Sequence, residues 1–499
     1  QGRLLANVYR RTLSPGARAS RELVREPPRI STETRRQVGV LINRQGNIAY
    51  LVVGDQRQIM RPDTHAYRSA PGRLRGLRCL HTHLKGEPLT EDDLTDLALL
   101  RLDLIAAVTI DASGEPDQVY AAHIRPGADP KHPFQIMTPL SPHQLDIDCD
   151  AMITAIESEL ARLGAVHRVR RGSEEAFLVS AAAGPQHEAL DSLAELSELA
   201  ASSGIHVIDT ILQLRPKPDP RYLLGRGKLR EIATRALHTG ATIIVFDQDL
   251  SPSQARSITD MIELKVIDRT QLILDIFAQR ARTREGKLQV ELAQLKYILP
   301  RLATRNSDLS RLTGGIGGRG PGETKLEIDR RRIRPRIISL ENALLHVRKH
   351  RAQQRARRQR QQVPVVSIIG YTNAGKSTLL NTLTHSQVLA ESRLFATLDP
   401  SSRRVRFPQD LELILTDTVG FIQNLPQDLV TAFRATLEEL ESADLLLHVI
   451  DISNPHHSEQ VAAVEAILAN LSLTKLPCLR VLNNIDKVDP SSAPNSYHA

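Results

Sequence analysis

The stretch Gly370-Tyr371-Thr372-Asn373-Ala374-Gly375-Lys376-Ser377 fits the phosphate-binding pattern G-x-x-x-x-G-K-[ST]. The apolar run 363–369 before it predicts a buried strand, and residues 377–383, with Thr378 among them, predict the beginning of a helix. A glycine loop between a strand and a helix directs successive backbone N–H groups and the helix dipole at one anion. Lys376 is expected to reach the β- and γ-phosphates, and Ser377 to bind Mg²⁺. The stretch therefore predicts a nucleoside triphosphate site.

Two further segments fit the same kind of site. Asp417-Thr418-Val419-Gly420 follows the apolar run 411–415, so that the Asp417 carboxylate can hold Mg²⁺ at a strand end and the Gly420 N–H can sense the γ-phosphate. Phe395-Ala396-Thr397-Leu398-Asp399 lies between the P-loop and this carboxylate. Thr397 is expected to supply a second Mg²⁺-binding hydroxyl from a switch loop that the γ-phosphate orders.

A fourth segment indicates which base is bound. The runs 445–450 and 479–482 predict two more buried strands, and the second leads into Asn483-Asn484-Ile485-Asp486. A carboxylate at Asp486 can accept hydrogen bonds from N1–H and the 2-amino group of guanine, which adenine cannot match. We therefore predict GTP, with catalytic roles for Lys376, Thr397 and Gly420 and metal ligation by Ser377, Thr397 and Asp417.

These motifs resemble those of the HflX family, in the Obg–HflX group of translation GTPases. The likeness rests on GYTNAGKSTL, FATLDP and DTVGFI, and upstream on segments 192–196, 222–228 and 314–325. It extends over about 177–489. The resemblance implies a GTPase that docks on the large ribosomal subunit and, in some members, splits stalled ribosomes. It also implies a helical hairpin whose glycine-rich tip, 314–322, probes the ribosome.

The chain departs from the family pattern at two places. The guanine motif N-K-x-D has Asn484 where the family has lysine, so we expect reduced affinity with specificity kept by Asp486. The family's GTPase domain continues into a further strand, a base loop and a final helix, whereas the turn-rich segment 490–496 offers no strand. Because the chain also begins at Gln1, we expect a fragment truncated at both ends, with an incomplete guanine pocket.

Basic charge is concentrated in one predicted helix. The chain carries a net charge of +8, and residues 330–360 contain twelve arginines and lysines against one acid, Glu341. This segment is either a solvated helix with a basic linker or a surface that contacts RNA phosphates. We favour the second interpretation. The RNA contacts that we expect are Arg319, Lys325, Arg330, Arg331 and Arg332.

Near the N-terminus, His81-Thr82-His83 is followed by Thr90 and Asp93. Two histidines one residue apart on a strand share a face and can bind Zn²⁺ together with a carboxylate. The arrangement resembles the H-x-H…S-x-x-D run of JAB/JAMM metallopeptidases, one residue short and with Thr for Ser, and no catalytic glutamate is evident before it. We therefore expect a degenerate or structural domain, with an active zinc site as the alternative.

Composition and length fit a chain of several α/β segments. We expect an extra N-terminal α/β domain at 1–150, a linker at 151–176, a small parallel α/β domain at 177–270, a helical hairpin with a basic linker at 271–362, and a P-loop GTPase domain at 363–499. No run approaches the roughly 18 apolar residues of a membrane span, and the three cysteines are far apart. We expect a cytoplasmic monomer without membrane contact.

The expected reaction is attack of a positioned water on the γ-phosphate of GTP. Phe421 follows Gly420, where many GTPases have a glutamine that orients water, so intrinsic turnover should be slow. Asn373 resembles the P-loop asparagine of GTPases that use K⁺ as an activating cation, and the ribosome is the other expected activator. Alternatives are a GTPase of ribosome assembly and a passive RNA-binding fragment with a defective pocket.

Overall fold

The computed structural model describes residues 21–56, 59, 62, 67, 73–111, 113–126, 134–142, 149–171, 174–262, 264–303, 325–360, 363–384, 394–395, 401–407, 411–418, 420–422 and 440–488. Contacts divide the chain into two compact units. The first comprises Gln1–Phe177, Ile208–Ile244 and Ser257–Val266, and the second comprises Leu178–Val207, Val245–Arg256 and Ile267–Ala499. The mixed α/β class predicted from the sequence is confirmed.

The first unit contains a six-stranded sheet of order β2-β1-β3-β4-β5-β6. Its elements, with the helices around it, are α1 (Arg21–Thr34), β1 (Val38–Asn43), β2 (Ile48–Val53), β3 (Leu77–His83), α2 (Glu91–Leu99), β4 (Leu104–Ile110), β5 (Pro116–Ile124), β6 (Phe134–Ile136) and α3 (Cys149–Arg171). β1 and β2 form an antiparallel hairpin. β3 and β4 run parallel and are buried along nearly their whole length, and they share the core with residues of β1, β5 and α3.

A second sheet has four strands in the order β10-β9-β7-β8. The segments that build it are β7 (Glu175–Ala182), α4 (Gln186–Ser202), β8 (His206–Leu214), α5 (Arg226–Thr239), β9 (Ile243–Phe246), α6 (Pro252–Ile262), β10 (Lys265–Asp268) and α7 (Arg269–Arg280). Hydrogen bonds from Thr242 N to Glu175 O and from Asp247 N to Val179 O advance together along both strands, so β9 runs parallel to β7. Gly225 caps α5, as expected for a turn into a helix.

Two long helices follow in the second unit, α8 (Arg284–Ala303) and α9 (Lys325–Arg360). They pack through a leucine cluster that contains Leu292, Leu340 and Leu344, with Ile337 half-buried against it. The predicted pair of helices, with their three- and four-residue apolar spacing, is confirmed. The glycine-rich segment 314–322 lies outside the described residues.

The P-loop sheet has five strands in the order β12-β13-β11-β14-β15. Its elements are β11 (Val365–Gly370), α10 (Lys376–Thr384), β12 (Ser401–Phe407), β13 (Leu411–Asp417), β14 (Leu445–Asp451), α11 (His457–Asn470) and β15 (Cys478–Asn483). β11 pairs in parallel with β13 and with β14, which places their carboxyl ends at one edge. Val366, Ile368, Leu380 and Leu415 form the core beneath the P-loop.

The expectation that residues 479–482 form a buried strand was wrong in one respect. They do form β15, but the strand is exposed at its beginning and only half-buried at its end, and Leu479 is 55% exposed. The reason is its position, because β15 is the last strand in the order and has a hydrogen-bonded neighbour on one side only. Among the described helices, none combines the length and the hydropathy that a membrane span requires.

Candidate nucleotide-binding site

The loop between β11 and α10 has the backbone that the P-loop pattern predicts. Gly370 and Gly375 adopt φ values of +148° and +93°. A Cβ at Gly370 would lie 2.3 Å from the carbonyl oxygen of Val449, and one at Gly375 would lie 2.2 Å from Nδ2 of Asn483. Asn373 is also left-handed, with φ 62°, which asparagine tolerates better than most residues. Glycine is therefore required at both positions, and the loop can curl around an anion.

The segment after β13 is tied to this loop. Thr372 N donates to Phe421 O at 2.8 Å, and Phe421 N donates to Gly370 O at 3.1 Å. These bonds place Gly420 against the loop, where a Cβ would lie 2.8 Å from Thr372 Cγ2 and 3.0 Å from Lys376 Nζ. The predicted neighbourhood of Gly420 and Lys376 is present. Phe421 itself is fully buried.

Lys376 begins α10 and is buried beneath the loop. Its Nζ donates to the carbonyl oxygen of Tyr371 at 2.6 Å. Burial lowers the pKa of Lys376 from 10.5 to about 8, although the nearby charge of Asp417 acts in the opposite direction. Lys376 thus brings a positive charge, at a cost in desolvation, to the place where phosphates would lie.

Ser377 and Asp417 meet at the carboxyl edge of the sheet. Ser377 Oγ donates to Asp417 Oδ2 at 2.7 Å, and Asp417 is fully buried at the end of β13. Thr418 Oγ1 donates to Ile368 O at 2.7 Å, which fixes the chain just after this carboxylate. A hydroxyl and a carboxylate side by side are the hard oxygen donors that Mg²⁺ prefers, so these residues fit the metal.

The predicted base-recognition segment lies beside the loop. Asn483 Nδ2 donates to Ala374 O at 2.8 Å, so Asn483 fastens the end of β15 to the P-loop. Asn484 is left-handed, with φ 59° and ψ 30°, and a short 3₁₀ turn, Ile485–Lys487, follows it. Asp486 is exposed in this turn. The motif alone did not predict this contact between Asn483 and the P-loop.

The structure brings together the P-loop, the segment that begins at Asp417 and the segment that begins at Asn483, whereas the fourth predicted segment is described only at Phe395. Loop residues 370–378, Phe395, Asp417, Thr418, Gly420 and Asn483-Asn484-Ile485-Asp486 are described. Ala396, Thr397, Leu398, Asp399 and Val419 lie outside the described residues, as does Arg319. Of the other expected RNA contacts, Lys325, Arg330 and Arg331 belong to α9 without described side chains, and Arg332 is exposed on it.

The structure also shows a buried network that sequence reasoning did not assign to the site. The hydroxyl of Tyr371, in the P-loop, donates to the carboxylate of Glu195 on α4. Arg269, buried at the start of α7, forms ion pairs with Glu195 and with Asp247, the latter at 2.9 Å. Ser192 Oγ donates to Asp247 Oδ2 at 2.8 Å. Ser192 and Glu195 lie in the segment that carried the family resemblance, but their partners are too distant in sequence for any spacing signal.

A second contact reaches the switch segment. The ring of Phe277, on α7, lies edge-on to the ring of Phe395 with 4.7 Å between centroids. Leu394 N donates to Ser202 Oγ at 3.1 Å, at the end of α4. Helix α4 therefore touches both the P-loop and residue 394, just before the predicted switch segment, and α7 touches Phe395, all within the second unit.

His448 gives a pH prediction for this domain. It lies on β14 opposite Ile369 and is 2% exposed, and burial, aided by the charge of Arg480, lowers its pKa from 6.5 to about 4. The unfolded chain takes up a proton near pH 6.5, whereas the folded chain does so only near pH 4. The free energy of unfolding should therefore fall through this window as the pH drops, by at most about 3 kcal/mol. The free energy of unfolding of His448→Gln, measured in urea, should change less with pH than that of the unchanged chain. An equally steep pH dependence in the variant would contradict the role given to His448.

Comparison with known proteins agrees with the geometry. Residues 190–278 match the family model "GTP-binding GTPase N-terminal", 280–358 match "GTP-binding GTPase Middle Region", and 365–484 match "50S ribosome-binding GTPase". A protein of Caldanaerobacter subterraneus named "GTPase HflX" is 49% identical over 324 residues, which cover 65% of this chain and 75% of that one. The "GTPase HflX" of Escherichia coli is 49% identical over 304 residues, covering 61% and 71%.

Among solved structures, a GTP-binding protein from the archaeon Sulfolobus solfataricus in complex with GDP is 25% identical, with a TM-score of 0.35. The match covers 64% of this chain and 85% of that chain. The family is decided by sequence identity, because the match at 49% identity covers 75% of the Caldanaerobacter protein. The chain belongs to the HflX family and is a GTP-binding GTPase.

Proposed function

We propose that this GTPase binds the large ribosomal subunit through ribosomal RNA and acts on stalled ribosomes, separating their subunits. The observation that carries the proposal is α9, whose stretch 330–360 holds twelve arginines and lysines against Glu341 alone. The description of the family model at 365–484, "50S ribosome-binding GTPase", supports the same partner. Such a partner implies a cytoplasmic location. We keep the expected boundaries at 271 and 363 as part of the proposal; the middle-region match at 280–358 lies within the first of these segments, and the match at 365–484 within the second.

The RNA contact would be made by phosphate-binding arginines. Arg332 and Arg334 are exposed on α9, whereas Arg336 is engaged by Glu291 at 2.7 Å. The aromatic content of 3% gives little surface for base stacking, so contacts to the RNA backbone fit the composition better. Arg319 and Lys325, with Arg330 and Arg331, would extend this surface toward the glycine-rich segment.

In the proposed mechanism the P-loop amides and Lys376 hold the β- and γ-phosphates and stabilise the charge that develops as water attacks. Ser377, Asp417 and Thr397 would hold Mg²⁺, which when bound neutralises phosphate charge. The Gly420 N–H would sense the γ-phosphate from its place against Lys376. Asp486 would accept hydrogen bonds from guanine.

An external activator follows from Phe421. Its side chain is buried and apolar, and its backbone is bonded to Gly370 and Thr372, so it cannot orient the attacking water. The large ribosomal subunit is the proposed activator, with K⁺ held near Asn373 as a second source of positive charge. We expect faster turnover in K⁺ than in Na⁺ buffer, and Asn373→Ala should remove the difference. Equal rates in both buffers for the unchanged chain would contradict the role of K⁺.

Specificity for guanine can be tested at Asp486. Asp486→Asn replaces a carboxylate that accepts two hydrogen bonds with an amide that repels the 2-amino group of guanine. We expect binding of GDP, measured by calorimetry, to weaken by about 100-fold or more, and binding of xanthosine diphosphate, which has a carbonyl at that position, to improve. Asp444→Asn is the control for charge, because it changes an exposed acid that accepts from Val365 N, at the end of β11 opposite the P-loop. If Asp486→Asn still preferred GDP to xanthosine diphosphate as the unchanged chain does, other residues would have to recognise the base.

Ribosome binding can be tested through α9. Arg332→Glu with Arg334→Glu should weaken binding to purified large subunits and reduce its dependence on salt, because fewer phosphates are neutralised. Arg73→Glu with Lys85→Glu makes the same change in net charge at exposed residues of the first unit and should leave binding unchanged. An equal loss of subunit binding in both double variants would show that the chain is attracted to RNA by its net charge and not by α9. Binding that does not depend on the nucleotide would favour a passive RNA-binding protein, and binding to immature subunits alone would favour ribosome assembly.

A further inference from the structure

A cluster of two histidines and an aspartate lies in the first unit, and none of its residues belongs to the nucleotide motifs. His81 and His83 point to the same face at the end of β3, and Asp93 lies in the first turn of α2. The side chains of both histidines are almost fully buried, and that of Asp93 is 13% exposed. One ligand atom from each residue lies within 4.8 Å of the others.

The surroundings fix the orientation of two of these groups. His83 Nδ1 lies 2.9 Å from the backbone carbonyl oxygen of Glu87, to which it donates, so in the neutral ring the lone pair is on Nε2. The N–H and the hydroxyl of Thr90 both donate to Asp93 Oδ2 at 2.7 Å, as part of the capping box of α2. Carbonyl and hydroxyl partners of this kind orient the ligands of metal sites.

The distances match the edges of a small coordination polyhedron. His81 Nε2 lies 3.0 Å from His83 Nε2 and 3.0 Å from Asp93 Oδ1, and His83 Nε2 lies 3.3 Å from Asp93 Oδ2. Ligands bound to zinc at about 2.0–2.2 Å in tetrahedral geometry are separated by about 3.4 Å. The distances between the three donor atoms are therefore close to those that binding of one ion would require.

The polar atoms around the cluster are not all satisfied. His81 Nδ1 and Glu87 Oε2 are buried without a hydrogen-bond partner among the described residues. Buried polar atoms without partners are uncommon, so these two atoms leave hydrogen-bonding capacity beside the cluster that the described residues do not use.

We propose that His81, His83 and Asp93 bind one Zn²⁺ ion through the two Nε2 atoms and a carboxylate oxygen, with a fourth position left for water. Two imidazoles and one carboxylate form a ligand set that suits zinc and related transition metals rather than Mg²⁺ or Ca²⁺. The proposed ligands belong to the six-stranded sheet and to α2, and none of them belongs to the P-loop sheet.

The test uses the full chain, stripped with a chelator and reconstituted with Zn²⁺ or Co²⁺. We expect one tightly held ion per chain by elemental analysis, and a visible Co²⁺ spectrum of a four-coordinate nitrogen and oxygen site. His83→Gln and Asp93→Asn should each weaken binding by more than about 100-fold, since even partners outside the ligand shell cost about 10–100-fold. His123→Gln, which changes a histidine on β5 of the same sheet, should bind as the unchanged chain does.

Two results would overturn the proposal. One is a folded, unchanged chain that takes up no stoichiometric Zn²⁺ and gives no Co²⁺ spectrum, which would leave a hydrogen-bonded cluster that only supports the fold. The other is metal binding that His83→Gln and Asp93→Asn do not alter, which would place the ion elsewhere. If either variant fails to fold by circular dichroism, the stoichiometry and spectrum of the unchanged chain decide the question.

Discussion

Replacing Lys376 with methionine should lower GTP hydrolysis by about 10²–10³-fold, the usual cost of removing one group that stabilises the charge of a transition state. Methionine keeps the length and apolar stem of the side chain but lacks the ammonium group that lies against Gly420. Single-turnover hydrolysis of radiolabelled GTP, with the protein in excess, measures the chemical step directly.

The same variant separates function from stability. Because burial lowers the pKa of Lys376 to about 8, its charge is unfavourable in the nucleotide-free fold. Lys376→Met should therefore unfold no more easily than the unchanged chain, although it loses activity. Lys475→Met, at an exposed position before β15, is the control and should keep both properties. Hydrolysis at the unchanged rate in Lys376→Met would contradict the role given to this lysine.

Replacing Arg269 with methionine should destabilise the second unit by about 3–5 kcal/mol, because it leaves two buried carboxylates without their common partner. Arg269 is 3% exposed and pairs with both Glu195 and Asp247. Urea unfolding followed by circular dichroism gives the loss. Since Glu195 also accepts from Tyr371, the affinity for GDP should fall as well, as the P-loop loses a support.

Arg336→Met provides the matched control for this prediction. Arg336 also pairs with a glutamate, Glu291 at 2.7 Å, but both side chains are exposed to solvent. Exposed ion pairs contribute about 0–1 kcal/mol, so the variant should unfold almost as the unchanged chain does. A loss in Arg269→Met no larger than that in Arg336→Met would show that the buried network adds nothing to stability. Tyr371→Phe would then be expected to leave GDP binding unchanged.

The sequence was sufficient for the P-loop and its strands, because the glycine spacing, the flanking apolar runs and the order of the motifs each restrict the backbone. Gly370 and Gly375 stand where any side chain would collide with Val449 or Asn483. The paired helices α8 and α9 were equally predictable from the three- and four-residue spacing of their leucines. The position of Asp417 at the end of β13 follows from the same strand pattern.

Other features depend on tertiary neighbours that no local pattern specifies. The exposure of β15 arises from its edge position, which an apolar run such as 479–482 does not reveal. The contact of Tyr371 with Glu195 and the burial of Arg269 join residues from α4, α7 and the P-loop. The hydrogen bond from Asn483 to Ala374 likewise joins residues far apart in sequence, because the end of β15 lies beside the P-loop.

The most direct test of the account is GTP turnover in K⁺ and Mg²⁺ buffer, with and without purified large ribosomal subunits. We predict slow hydrolysis by the chain alone, since Phe421 cannot orient water, and strong stimulation by the subunits that Arg332→Glu with Arg334→Glu diminishes. Turnover that large subunits leave unchanged would contradict the proposed partner. No turnover under either condition would contradict the working pocket itself.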